Sequence, residues 1–299
     1  MKLSPPRGFV PELDGLRGLA ILLVMTHRLW PRAGDLARYN GVAEIGWIGV
    51  DLFFVISGFL IAGILLDTRD DPDALRNFYA RRVLRIFPLF YLLVGGMLLT
   101  FPMLGGGFEH SAYLEKSGSP LWYLFQLGNI PEGVLGRDPP YWLAPVWSLA
   151  IEEQFYLSFP WLVRAVDRRR LAHVLVGFIA LAPVVRLLGL LLFPQLDRFQ
   201  YAFTLCRVDT IAVGCLLAII VRLPAVQQPR TRTLLAIAGG AVAIAVVTGL
   251  DRTTPFGRTL GYSVVAFGFG ALVLLVVRAR GNANAAALRF APLRYLGKI

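Results

Sequence analysis

The stretch Trp147-Ser-Leu-Ala-Ile-Glu-Glu-Gln-Phe-Tyr156 places two adjacent carboxylates, Glu152 and Glu153, inside a segment that otherwise reads as membrane-spanning. One charged side chain at a bilayer centre costs about 2.5–3.5 kcal/mol on insertion scales, so such residues face a bundle interior and have a partner or a use. The rest of the chain has the same character. Hydrophobic residues make up 56% of its 299 positions and charged residues only 16%, against about 25% charged in an ordinary soluble domain. Mean hydropathy is +0.62. This composition excludes a soluble domain and predicts an all-α, polytopic transmembrane helix bundle. Spans of about 20 residues fall at 15–32, 46–66, 87–104, 147–163, 173–193, 203–221, 233–250 and 259–277, eight in all. The first fifteen residues lack the apolar core and small-residue cleavage site of a signal peptide.

The net charge of +11 suggests nucleic acid at first sight, but basic residues in a polytopic protein report topology. With the N-terminus cytoplasmic, 20 of the 30 Lys and Arg residues fall inside and 8 outside, with Arg186 and Arg207 within spans. Nucleic acid is therefore not an expected partner; the lipid bilayer is. The longest loop, 105–146, then faces outward and carries Trp122, Tyr123, Tyr141 and Trp142. A loop of that length fits a lid or a functional element, and its aromatics fit interfacial anchors equally well. No internal repeat stands out, which counts against a transporter built from inverted halves. Cys206 and Cys215 lie nine residues apart in one expected helix. That puts them on opposite faces, so they read as two packed thiols rather than a bridge.

Several polar residues need a purpose. Arg17 and His27 are ten residues apart, which is ~15 Å along a helix and close to the same face. An imidazole there can act as general base or nucleophile, or stand as an interfacial histidine beside Arg28 and Trp30. Asp51, at the outer start of the second span, is a candidate partner for His27 and equally a helix-start residue. Ser57 and Gly58 lie deeper, where small residues let helices approach closely. Arg82 and Arg85 share a helical face, with Arg81 one residue off it. Guanidiniums at a cytoplasmic membrane edge suit phosphate or pyrophosphate, or anionic headgroups. Arg207 and Asp209 form a same-chain charge pair that either neutralises itself or completes a polar cavity with the glutamates. Trp147, Ser148 and Tyr156 join Asp51, Ser57, Arg207 and Asp209 as substrate-binding or structural polar positions. His27, His110 and His173 fall in different compartments, and no His or Cys cluster has metal-ligand spacing.

The motifs occur in a fixed order: Leu13-Asp-Gly-Leu-Arg-Gly-Leu-Ala20 with His27, Gly49-Val-Asp-Leu-Phe-Phe-Val-Ile-Ser-Gly-Phe59, Arg82-Val-Leu-Arg-Ile-Phe-Pro88, the opening stretch, and Arg207-Val-Asp-Thr-Ile-Ala-Val-Gly214. Together, from about residue 12 to the C-terminus, they closely resemble the acyltransferase family 3 membrane proteins. The resemblance implies a membrane-bound O-acyltransferase. It would move an acetyl or other acyl group from cytoplasmic acyl-CoA, commonly acetyl-CoA, to a hydroxyl of an extracytoplasmic or lipid-linked carbohydrate, with no permanently bound cofactor. It implies a multi-pass protein of the cytoplasmic membrane, and the Arg- and Ala-rich composition points to a bacterium. It also implies His27 as the catalytic histidine with Arg17 in the same span, Glu152 and Glu153 as catalytic glutamates, and Arg82 and Arg85, beside Arg81, as the acyl-CoA arginines.

Two departures stand out. Many members place the histidine one residue further from the arginine, where this chain has Arg28; one residue is ~100° around a helix. In the family, the phrase Leu293-Arg-Tyr-Leu-Gly-Lys-Ile299 leads into a further span. The chain is therefore expected to be a single membrane-embedded domain, 1–299, truncated before about two more C-terminal spans. The rival reading is a transporter or flippase for an anionic or glycolipid solute, whose repeats and broken helices are missing. A third is a non-catalytic scaffold.

Overall fold

The computed structural model describes residues 10–30, 40–104, 118–139 and 143–298. His110, Tyr141 and Trp142, named above, lie outside them. Among the described residues there is no strand. The helices are α1 (Pro11–Leu29), α2 (Asn40–Ile45), α3 (Ile48–Asp67), α4 (Ala74–Leu104), α5 (Leu121–Leu124), α6 (Asn129–Gly133), α7 (Val146–Ala165), α8 (Arg168–Leu192), α9 (Phe199–Ala202), α10 (Val208–Ile220), α11 (Thr231–Thr248), α12 (Tyr262–Arg278) and α13 (Ala291–Lys298). Three-residue 3₁₀ turns at Thr204–Cys206 and Ala225–Gln227, a π turn at Gly257–Gly261 and a 3₁₀ stretch at Ala283–Arg289 connect them.

The described part of each expected span lies largely in helix. Among the described residues, five helical segments are long and apolar enough to cross a membrane: Ala43–Asp67, Arg168–Leu192, Phe199–Ile220, Thr231–Thr248 and Gly257–Arg278. The protein is thus an all-helical polytopic membrane protein. The other three expected spans fall on α1, α4 and α7, which carry more charge: Glu12, Asp14, Arg17 and Arg28 in α1, four arginines in the first half of α4, and both glutamates in α7. The expected 105–146 loop holds two short helices, α5 and α6. Cys206 and Cys215 are both buried free thiols.

The chain divides into two compact units. The first comprises residues up to Ile64, Arg168–Pro183 and Val208 onward. Here α1 packs on α13 and on the 283–289 stretch, and α12 packs on α10 and α11. Glycines set how closely these helices approach. A Cβ on Gly214 of α10 would lie 2.1 Å from the Val55 carbonyl oxygen of α3, and one on Gly58 of α3 would lie 2.3 Å from that of Ile211. Gly58 therefore does what its small size suggested. α11 has the opposite character. Leu234 is its one buried residue among those described, while Leu235, Val242, Val246 and Val247 are exposed. An apolar helix bare on most sides suits lipid contact.

The second unit comprises Leu65–Asp167 and Val184–Arg207. Its apolar core includes Phe90 and Val94 of α4, Tyr123 of α5, and Leu143 and Val146 at the start of α7. α6 packs against both α7 and α9.

Candidate active site

In the first unit, α1 carries both Arg17 and His27, each half-buried. Arg17 places its guanidinium 5.0 Å from the centre of the Phe53 ring on α3, a cation–π distance. His27 Nδ1 lies 2.8 Å from the Ala43 carbonyl oxygen. A carbonyl only accepts, so Nδ1 carries the hydrogen and donates it. In neutral His27, Nε2 is then the nitrogen with the lone pair. A fixed tautomer of this kind is what a general base or nucleophile needs.

Asp51 is fully buried, as are Asp209 and Thr210. Ser263 Oγ of α12 donates to Asp209 Oδ2 at 2.6 Å. Asp209 Oδ1 accepts from the Thr210 N–H at 2.9 Å. The Thr210 hydroxyl lies 3.4 Å from Asp51 Oδ1. The second- and sixth-span motifs thus meet in one buried polar cluster, with Ser263 added by α12. Ser57 is buried nearby in sequence on α3.

In the second unit, Tyr156 Oη donates to Glu152 Oε2 at 2.8 Å, both side chains being buried. The Arg82 guanidinium sits 4.1 Å from the Tyr156 ring centre and 5.6 Å from that of Phe78. Cation, phenol and carboxylate therefore form one array, in which the cation over the ring favours the hydroxyl as donor. Glu153 is half-buried, within electrostatic reach of Glu152 and Arg82. Its Oε1 is buried without a hydrogen-bond partner. Arg81 and Arg85 are exposed and Arg82 is not. The three arginines expected to act together on phosphate thus have two different surroundings. Trp147 stacks 4.4 Å from Tyr201, and buried Arg207 lies 6.0 and 5.7 Å from those two rings. Ser148 Oγ donates to the Pro145 carbonyl at 3.0 Å, within the first turn of α7. Arg186 donates to the Cys206 carbonyl at 3.0 Å.

The Tyr156–Glu152 bond yields a stability prediction. A hydrogen bond to a charged group is worth about 1.5–3 kcal/mol, so Tyr156→Phe is expected to destabilise the protein by about that much. Glu152→Gln added to it should cost less than the sum of the two single changes. Thermal unfolding of the four proteins in detergent checks both statements; strict additivity would mean the two groups do not interact.

Sequence reasoning missed a closed ring of three hydrogen bonds. Asn129 Nδ2 donates to Thr204 Oγ1 at 2.9 Å, Thr204 Oγ1 donates to Gln154 Oε1 at 2.5 Å, and Gln154 Nε2 donates to Asn129 Oδ1 at 2.9 Å. Each member donates once and accepts once. The ring ties α6 and the 204–206 turn to the helix that carries Glu152 and Glu153. Gln154 was in view beside the glutamates. Nothing local in the sequence joined it to Asn129 or Thr204.

Comparison with known proteins adds the family. The acyltransferase family 3 profile, described as an acyltransferase domain, matches residues 10–299. The peptidoglycan O-acetyltransferase OatA of Listeria monocytogenes is 29% identical over 97% of this chain and 47% of its own length. The O-acetyltransferase OatA of Staphylococcus aureus is 30% identical over 73% of this chain and 36% of its own. The Bacillus subtilis protein YrhL is 32% identical over 71% of this chain and 33% of its own. The chain thus spans between a third and a half of the length of these relatives. No solved structure matches it. With the family profile covering the chain from residue 10 to its end, the protein belongs to acyltransferase family 3.

Proposed function

We propose that the protein transfers an acetyl group from cytoplasmic acyl-CoA to a hydroxyl of a cell-wall carbohydrate of the peptidoglycan type, as a membrane O-acetyltransferase. The observation that carries this reading is His27, whose Nδ1–H donates to a backbone carbonyl, which leaves the lone pair of the neutral ring on Nε2. The names of the two OatA relatives support the reaction, and that of the Listeria protein supports the acceptor class.

The chemistry follows from that nitrogen. On the direct route Nε2 takes the proton of the acceptor hydroxyl as its oxygen attacks the thioester carbonyl. A C–O bond forms, the C–S bond breaks, and the CoA sulfur leaves and is protonated. On the covalent route Nε2 attacks the thioester carbonyl; an N–C bond forms as the C–S bond breaks and the CoA thiolate leaves. The acceptor oxygen then attacks the acetyl carbon, the N–C bond breaks and the hydroxyl proton passes to Nε2. Arg17, on the same helix, is the cation proposed to stabilise negative charge developing on the carbonyl oxygen. In the second unit, the exposed guanidiniums of Arg81 and Arg85 are suited to the CoA phosphates. Arg82, held against Tyr156, is assigned to Glu152 rather than to bulk phosphate binding. With the N-terminus cytoplasmic, as the charge bias supports, the acceptor enters from the face of α5 and α6.

The arginine assignment has a kinetic signature. Arg85→Ala is expected to raise KM for acetyl-CoA roughly tenfold with little change in kcat, the pattern for a lost ground-state charge contact. Arg82→Ala is expected to lower kcat instead. Steady-state kinetics with varied acetyl-CoA separates them; identical effects of the two changes would remove the distinction.

The reading as a whole is tested by expressing the gene in a bacterial host whose wall carries no ester-linked acetate. Mild base should then release acetate from purified wall. Absence of acetate, with folded protein in the membrane, would exclude this acceptor.

A further inference from the structure

Helix α5 ends in an unusual way. The Leu127 N–H donates to the Trp122 carbonyl at 2.7 Å, and the Gln126 N–H to the Tyr123 carbonyl at 3.1 Å. These are the two bonds of a Schellman C-cap, whose penultimate position is left-handed and is most often glycine. Here it is Gln126, with φ of 56°. Glycine reaches that conformation without strain, whereas glutamine does not.

The side chain adds a second cost. Gln126 is 7% exposed, and its Nε2 is buried without a hydrogen-bond partner. A buried amide donor left without an acceptor is destabilising. A glycine at 126 would remove both costs at once. Strain and an unsatisfied donor in one residue are typical of a site that waits for a ligand.

Its location gives the ligand. Gln126 stands between Tyr123, part of the apolar core under α7, and Asn129, part of the hydrogen-bonded ring that includes Gln154. The ring therefore fixes the chain three residues beyond Gln126 to the helix turn that carries Glu152 and Glu153. A buried amide donor without an acceptor fits an oxygen on a neutral, hydroxyl-rich molecule.

We propose that Gln126 is a binding residue for the carbohydrate acceptor, its amide donating to a hydroxyl or N-acetyl carbonyl oxygen of the sugar. This rests on the acetyl-transfer reading above. The Asn129–Gln154–Thr204 ring is the positioning device that holds it in place.

The test uses the intact gene product in membranes, with acetyl-labelled acetyl-CoA as donor and soluble muropeptides as acceptor probe. Gln126→Gly keeps the turn and removes the amide. It should melt at the same temperature as the parent or higher, while KM for muropeptide rises tenfold or more and KM for acetyl-CoA stays unchanged. Gln126→Asn, which keeps both an amide and tolerance of the left-handed region, should fall between the two. Unchanged acceptor KM in Gln126→Gly would overturn the proposal and leave the acetyl-transfer reading standing. Absence of label transfer by the parent itself would instead overturn the reading on which the proposal rests. Should Gln126→Gly fail to fold, the inference that this turn favours glycine is wrong, and the proposal falls with it.

Discussion

Replacing His27 by alanine is expected to lower acetyl transfer by a factor of about 10²–10⁴, the usual contribution of a positioned general base, and by more on the covalent route. The fold should survive. His27 is half-buried near the end of α1. Its bond to the Ala43 carbonyl is worth about 0.5–1.5 kcal/mol as a neutral hydrogen bond. The activity loss thus far exceeds what a structural role could produce. Single-turnover transfer and thermal unfolding on the same preparation separate the two effects. Added imidazole should restore part of the rate if the missing group is the base. Transfer within threefold of the parent would remove His27 from the chemistry and leave it as a link between α1 and α2.

The second large effect concerns packing. A Cβ at Gly214 would sit 2.1 Å from the Val55 carbonyl oxygen and 2.8 Å from the Phe59 nitrogen. Both neighbours are backbone, so no side-chain rotation relieves the clash. Overpacking in a core costs about 1–3 kcal/mol, and Gly214→Ala is expected at or beyond the upper end. It should also disturb function, because Asp51 and Asp209 sit on the two helices forced apart. Gly240→Ala is the matched control. It lies on exposed α11 with nothing within 4 Å and should be neutral, or stabilising by up to about 1 kcal/mol through helix propensity. Equal melting temperatures for the two variants would refute the close-packed α3–α10 contact.

Much of this fold was legible because long apolar runs permit few alternatives. The segments expected at 46–66 and 173–193 appear as helices ending within a few residues of those limits. The close approach at Gly58 was legible, since a small residue between apolar ones has few other uses. What sequence could not give were contacts closed by tertiary structure. The ring of Asn129, Gln154 and Thr204 joins positions 25, 50 and 75 residues apart. Helical spacing treated Arg82 and Arg85 as equivalent, because periodicity reports direction around one helix and not what occupies that direction. Only the fold places Tyr156 against Arg82. Likewise the sequence brought Asp209 near Arg207 by proximity along the chain, and only the fold brings Ser263 and Thr210 to its oxygens. The docking of 283–298 on α1 was also hidden. Gly15 and Gly18 read as parts of a motif, but each is also a point where a Cβ would lie 1.9 Å from a carbonyl oxygen, of Leu288 and Leu293 respectively.

The most direct test of the central claim is to follow the acetyl group itself. The intact gene product, in lipid vesicles, would receive acetyl-labelled acetyl-CoA and soluble muropeptides, with free CoA thiol and base-labile sugar ester measured together. The account predicts one ester formed for each thiol released, and neither in His27→Ala. Movement of a solute across the vesicle wall without acetyl-CoA, and without any ester, would contradict it and favour a transporter.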